Sequence, residues 1–396
     1  MALMQHTCNR FYSLFGRINV RAFSKDSKTI EKAIKKSVFI SQSNDVYMNL
    51  ALEEWLFKNF NFKNHHVLML WQNDPCVVIG RHQNPWSETN ISDLHNHTEN
   101  GIYLARRSGN GGSAYNDNGT LNMTFFTTRE RYNAQNNTEV VARSIFREFD
   151  IKTSMGSDEN LLLRGNKQVS NKGAKIGRDN SYHSMSLMVK SNKVNRNMAL
   201  QKHDMNIRTK ATTLDVPTNM MNLCEENPQV NVASLIKAVG WEFLRTKALT
   251  VRDGGMELAY QQKGFQMINP TENWFPGLNA IREKYSSWDW CYGKTPKFNI
   301  TQAFKVPGGL VRNNTSAPGN LHVTMTVENG RISDITIYVP NELNSLGFTG
   351  EAKVIHSLKG KKFSVQAFDD MEDSLGCLLD EKDRFVTECL KQMACA

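Results

Sequence analysis

Arg106-Arg107-Ser108-Gly109-Asn110-Gly111-Gly112-Ser113-Ala114-Tyr115-Asn116-Asp117 is the stretch on which the reading of the fold turns. Ile102-Tyr103-Leu104-Ala105 before it and Leu121-Asn122-Met123-Thr124-Phe125-Phe126 after it read as strands, so the segment is a glycine-rich connection between two strands. A glycine cluster lets backbone N–H groups approach phosphate oxygens with no Cβ in the way. Paired arginines add permanent charge and forked donors for such an anion. A long hairpin loop whose glycines only satisfy turn dihedrals accounts for the same composition. The segment lacks the G-K-[ST] of a P-loop and the G-x-G-x-x-G of a dinucleotide fingerprint.

Upstream, Val38-Phe39-Ile40 reads as a strand, and Asn44-Asp45 as the cap of a helix to about Phe60 with Met48, Leu52, Trp55 and Leu56 on one face. His66 to Trp71 and Cys76 to Ile79 read as strands, and Asn73-Asp74-Pro75 between them predicts a hairpin. Helices follow over residues 137–149 and around Val232 to Phe243, with strands at 161–163 and 184–189 between them. After about residue 273 the pattern changes. Leu321, Val323, Met325 and Val327 alternate, as do Ile335, Ile337 and Val339, and Asn329-Gly330 predicts a type I′ hairpin near them. Two or three helices close the chain. The fold class is α+β: a mixed-sheet domain over 37–272, then a small α/β domain over 273–396.

Composition bounds the function. The chain has 396 residues and a formal charge of +9, a moderate and dispersed excess that does not argue for nucleic acid. No apolar run approaches the roughly 20 residues that a membrane helix needs. The seven cysteines have no C-x-x-C pair, and His65-His66 has no ligand-spaced carboxylate or thiol, so no metal site and no disulfide framework is expected. Residues 1–23 carry Arg10, Arg17 and Arg21 and no acid, which predicts a mitochondrial transit peptide with matrix import, cleaved near Arg21-Ala22-Phe23-Ser24.

The order of residues carries more than their composition. Arg106, Arg107, Gly111, Gly112, Tyr115, Asp117, Gly119, Leu121 and Asn122 resemble the R-R-x-S-G-G-G-[AT]-V-[YF]-H-D-x-G-N-[LI]-N motif of the lipoate-protein ligase and lipoyltransferase family. Gly80-Arg81-His82-Gln83-Asn84-Pro85-Trp86, Lys175-Ile176-Gly177-Arg178 and Trp288 to Phe298 resemble further family segments, and the resemblance spans about residues 37 to 395. It implies a lipoate/biotin-ligase-like catalytic domain that holds lipoyl-AMP and passes the lipoyl group to a lysine, with a small accessory domain beside it. The implied acceptors are lipoyl domains of 2-oxoacid dehydrogenase acyltransferase subunits. The implied donor is lipoyl-AMP or a lipoylated carrier such as the glycine-cleavage H protein. No tightly bound cofactor is implied. Mg and ATP enter only for a full ligase, and a monomer is expected.

By motif position, Arg107, Gly112, Ser113, Ala114, Tyr115, Gln168, Ser186 and Thr212 are the expected lipoyl-adenylate contacts, and Gly80-Arg81 and Trp71 the border of the lipoyl tunnel. The sequence departs from the family at Gly109, Asn110, Asn116 and Thr120. It also departs where the family's adenylate-contacting lysine would stand, which is Gln168 here. Lys167 and Lys175 are therefore the expected catalytic lysines, although neighbours on a strand point to opposite faces. His183 reads as a structural histidine and Asp117 as an organiser of the loop. A weakened relative that only binds lipoyl domains is the non-catalytic alternative.

Overall fold

The computed structural model describes residues 34–91, 94, 101–201, 206–212, 219–246, 264–310, 319–339, 353–375 and 380–395. The expected transit peptide lies outside the described residues. The first part runs through β1 (Lys35–Ser41), the Val46–Asn59 helix, β2 (His65–Trp71), β3 (Cys76–Ile79) and β4 (Tyr103–Arg106). The glycine segment contributes β5 (Asn110–Gly111) and β6 (Ala114–Asn116) and leads into β7 (Thr120–Thr128). After the Ala134–Phe149 helix come β8 (Ser154–Met155), β9 (Leu161–Leu163), β10 (Lys167–Gln168), β11 (Ser170–Ile176) and β12 (Asn180–Met188). The Lys193–Ala199 helix, β13 (Ile207–Thr209), the Val232–Arg245 helix and β14 (Phe265–Ile268) follow.

These strands build a seven-stranded mixed sheet in the order β14-β1-β2-β7-β12-β11-β5. β1 is parallel to both its neighbours, and the remaining pairs are antiparallel. One face carries Leu68, Leu70, Leu121, Met123, Phe125, Met185 and Leu187 against the helices Ala134–Phe149 and Val232–Arg245. At roughly 1.5–3 kcal/mol per large apolar side chain, this face is the main stabilising core of the first part. The opposite face is covered by the Val46–Asn59 helix. Asp45 caps that helix by accepting from the N–H groups of Tyr47 and Met48, an arrangement worth about 1 kcal/mol.

The expected hairpin over residues 66–79 does not form. β2 already has β1 and β7 as neighbours, so β3 has no free edge beside it. Between them the chain is pulled away: Asn49 Nδ2 donates to Asn73 Oδ1 at 2.9 Å, and the Asp74 N–H to the Asn44 carbonyl at 2.9 Å. β3 instead pairs parallel with β4 and antiparallel with β6 in a separate three-stranded sheet. That small sheet carries Arg106 at one end and the Ala114–Asn116 arm of the glycine segment.

The helices Leu278–Ser286 and Trp288–Cys291 pack back on the first part, where Tyr285, Trp290 and Cys291 share a core with Val46, Leu50, Val78 and Ala105. The second core starts at β15 (Phe298–Lys305), with β16 (Asn320–Glu328), β17 (Arg331–Tyr338) and the helices Lys353–Leu358, Val365–Leu375 and Glu381–Cys395. The predicted turn is present: Asn329 and Gly330 have φ of 51° and 70°, the signs that a type I′ turn requires. Two pieces of the first part enter this second unit. β13 pairs with β15, and Trp86 packs against Phe298 and Phe363.

Candidate active site

The two adjacent arginines of the loop have different fates, because neighbours on a strand point to opposite sides. Arg106 is fully buried. Its guanidinium donates to the carbonyls of Gly80, Arg81, Gln83, Trp290 and Cys291 and to Thr295 Oγ1. It ties the Gly80–Gln83 loop to the Trp288–Cys291 helix and has no hydrogen left to offer a ligand. Burial lowers its pKa to about 10, so it stays charged at neutral pH.

Arg107 points to the covered face of the large sheet. Its Nη2 donates to the Gly112 carbonyl, and its Nε has no partner among the described residues. Glycine is required around it. A Cβ on Gly80 would run into the Gly111 carbonyl, and Gly111 itself has φ of 132°. Glu53 lies close enough to act on Arg107 electrostatically, although burial raises the Glu53 pKa. The Glu53 carboxyl accepts from Thr124 Oγ1 at 2.6 Å.

Strand register extends this polar patch. Trp71 stands opposite Asn122, Asn122 opposite Ser186, and Ser186 opposite Asn171, across four strands. The next row toward the loop holds Met69, Thr124, Ser184 and Gly173, then Gly111. Ser186 Oγ donates to Asn122 Oδ1 at 2.7 Å. Asn122 Nδ2 and Trp71 Nε1 are buried and have no partner among the described residues. Three donors on one buried face, Trp71 Nε1, Asn122 Nδ2 and Arg107 Nε, therefore lack acceptors. An unpaired buried polar group costs about 1–3 kcal/mol, so the donor set suits a ligand with acceptor oxygens.

The model of the lipoyl protein ligase A/B catalytic domain matches residues 45–244, a span that contains both arginines and this polar face. The chain belongs to that family. Human "Lipoyl amidotransferase LIPT1, mitochondrial" is 35% identical over 340 residues, covering 84% of each chain. The mouse protein of the same name is 36% identical over 327 residues, 82% of this chain and 81% of the relative. Among solved structures, P. falciparum LipL1 in complex with lipoate superposes with a TM-score of 0.54 at 22% identity, over 91% of this chain and 99% of that one. At that identity it speaks for the fold.

Within this lipoyl-ligase frame the expected site residues divide. Arg107 and Ser186 lie on the polar face described above, and Gly112 is held by Arg107. Ser113 is buried, with Oγ 3.5 Å from Glu88 Oε2. Ala114 and Tyr115 are buried in β6, where Tyr115 packs with Val77, Ile79 and Leu104. Thr212 is exposed, and its N–H donates to the His82 carbonyl at 3.3 Å, beside the Gly80–Gln83 loop. Gln168 is buried. Its Nε2 donates to the Ser170 carbonyl at 2.6 Å and reaches Asn171 Oδ1 at 3.4 Å, the end of the polar row.

The two lysines part company. Lys167 is exposed, on the far side of the strand from Gln168. Lys175 lies on the covered face, but Nζ is 2.5 Å from Glu54 Oε2 and 3.1 Å from Ser108 Oγ, and it sits over the Phe57 ring. Burial raises the Glu54 pKa, but the bonds from Lys175, Ser108 and Lys58 outweigh it and leave the carboxylate below its ordinary value. Lys175 thus holds the Val46–Asn59 helix to β11. His183 is on the other face, stacked on Phe125 and neutral, its pKa pushed down to about 4 by burial. Asp117 organises the loop, accepting from the N–H groups of Gly119 and Asn192 and from Thr120 and Ser191.

Glu53 and Thr124 escaped the sequence reading as site residues, and Asn122 entered it only as a motif match. The signal was present. Leu121-Asn122-Met123-Thr124-Phe125 alternates polar and apolar within a strand that is buried on both faces, and alternation in such a strand marks a polar buried surface.

Proposed function

We propose that this protein is an acyltransferase that moves a lipoyl group from an activated donor to a lysine of lipoyl domains in 2-oxoacid dehydrogenase complexes. The observation that carries this reading is the row Trp71-Asn122-Ser186-Asn171 beside Arg107, buried at Trp71 and Asn122 and half-buried at Ser186 and Asn171, with donors that have no acceptor among the described residues, inside the lipoyl-ligase frame. An acyl-adenylate is already activated. The protein has to bind it, exclude water and stabilise charge on the carbonyl and phosphate oxygens as an amine attacks. Buried N–H and guanidinium donors in a water-excluding site supply that stabilisation. The acceptor lysine, with an ordinary pKa of about 10.4, must lose its proton, which fixed positive charge nearby favours. Arg107 is that charge.

In this reading Arg107, Gly112, Gln168 and Ser186 contact the donor, Ser113, Ala114 and Tyr115 shape the loop wall, and Thr212 borders the entrance. The donor is lipoyl-AMP or a lipoylated carrier such as the glycine-cleavage H protein. The protein works in the mitochondrial matrix, as the names of its mammalian relatives and the acid-free, Arg-bearing first 23 residues support for the mitochondrion. The neutral Gln168 at the family's lysine position disfavours efficient activation of free lipoate by ATP.

The test is direct. Purified protein is mixed with lipoyl-AMP and an unmodified lipoyl domain, and the acceptor lysine is followed by mass spectrometry. Lipoylation faster than the enzyme-free control is expected. A folded protein that binds the lipoyl domain and transfers nothing would establish the non-catalytic alternative instead.

A further inference from the structure

Arg196 lies on the Lys193–Ala199 helix and is 8% exposed. Its Nε and Nη2 share one acceptor, Asn197 Oδ1, at 3.3 and 2.9 Å. Among the described residues, its Nη1 has only the Met188 sulfur, at 3.8 Å. The described residues give it no ion pair. Glu225, the acid whose charge reaches it, is already engaged by Lys193 Nζ at 2.6 Å and by the Asn222 N–H at 2.8 Å. A guanidinium that is buried without an anion is costly and needs an explanation.

Its position supplies one. Met188 follows Tyr182, Ser184 and Ser186 on the same face of β12. Two residues along a strand span roughly 6.6 Å, so Met188 is one step beyond the Ser186–Asn122 pair. The Met188 N–H donates to the Val169 carbonyl at 2.8 Å, and Val169 is the residue after Gln168. The buried guanidinium and the neutral Gln168 amide are therefore brought to the same end of the polar face. The Arg196 helix is anchored there as well, since the N–H of its cap, Asn192, donates to Asp117 Oδ2 at 2.7 Å.

We propose that Arg196 binds the phosphate of the nucleotide-activated acyl donor and supplies the positive charge that Gln168 lacks. The proposal rests on the acyl-donor reading above. It assigns a catalytic residue from outside the motifs that define the family resemblance. The phosphate belongs to an acyl-adenylate or to a nucleoside triphosphate that precedes it, and separate titrations tell these apart.

The test uses the full chain and its variants Arg196→Met, Arg196→Lys and Arg196→Met with Gln168→Lys. Each is titrated calorimetrically with a lipoyl-adenylate analogue that retains an anionic linker, with ATP, and with uncharged lipoamide. Thermal melting reports folding. Losing a charge-assisted hydrogen bond predicts that Arg196→Met binds the analogue roughly tenfold to a hundredfold more weakly, while lipoamide binding holds. Arg196→Lys retains most of the affinity, and adding Gln168→Lys to Arg196→Met restores it. A comparable loss for ATP assigns the triphosphate as a second source. Unchanged analogue binding by folded Arg196→Met overturns the proposal and leaves the proposed function standing. An equal loss of lipoamide overturns it too, because the effect is then packing. If the unsubstituted protein binds none of the anionic probes, the Arg196 proposal and the adenylate donor fall together, and only transfer from a lipoylated carrier remains.

Discussion

The two faces of the seven-stranded sheet are built from alternate residues of the same strands, yet they solve opposite problems. Toward the Ala134–Phe149 and Val232–Arg245 helices, Leu121, Met123, Phe125, Met185 and Leu187 make a largely apolar core into which His183 and Ser170 also point. Toward the Val46–Asn59 helix, Asn122 and Thr124 are buried with Glu53 and Arg107, and Ser184 and Ser186 are half-buried beside them. A protein interior gains nothing by burying donors without acceptors. The first face is what makes the domain stable. The second gives up stability for a surface shaped to bind. Substitutions on the two faces should therefore separate stability from activity.

The largest effect is expected at Arg107. Arg107→Met removes the charge at the centre of the polar face and should lower the transfer rate roughly 100- to 1000-fold, in the range found for loss of one oxyanion donor. Its melting temperature should hold or rise, since a costly buried charge is replaced by an apolar side chain. An Arg107→Met protein with near-normal transfer would break the assignment of this face.

On the apolar face, Leu187→Ala should cost about 2–5 kcal/mol of stability through lost burial and a cavity. The folded fraction should transfer lipoyl groups at the normal rate. Denaturant unfolding paired with rates per folded molecule checks both halves.

His183 makes a pH test of the same face. Its pKa is lowered from 6.5 to about 4 by burial, so the unfolded chain takes up a proton that the folded protein refuses. Stability is fully present above pH 6.5 and falls as pH drops toward 4, by about 3 kcal/mol from this group. His65 is shifted in the same direction to about 4, so His183→Phe should remove part of the acid sensitivity and leave the rest. An unaltered stability-against-pH curve in His183→Phe would contradict the burial argument.

Much of this was legible in the sequence. The glycine segment, the capped helix after Asp45, the Asn329-Gly330 hairpin and the α+β class follow from periodicity and turn chemistry. What was not legible was non-local. No local pattern says that Cys76–Ile79 leaves the sheet of its neighbour, or that Ile207–Thr209 crosses to the second sheet. Nor does the sequence separate Arg106 from Arg107. One is used up on carbonyls from residues 80–83 and 290–291 that only the fold assembles, and the other is left with an open Nε. At Lys167 and Gln168 strand alternation poses the right question, and the structure answers it with the glutamine inside. Lys175 is on the inner face, but Glu54, 121 residues earlier, holds it.

The most direct test of the central claim compares two neighbours on β7, Asn122 and Met123, whose side chains leave the same strand on opposite faces. Asn122→Leu and Met123→Ala are each measured for affinity toward the lipoyl-adenylate analogue and for unfolding free energy. Asn122→Leu should weaken donor binding about tenfold with unchanged or raised stability. Met123→Ala should lose about 2–5 kcal/mol of stability with unchanged affinity. Full donor affinity in Asn122→Leu, or a donor defect in well-folded Met123→Ala, would contradict the assignment of the polar face as the binding surface.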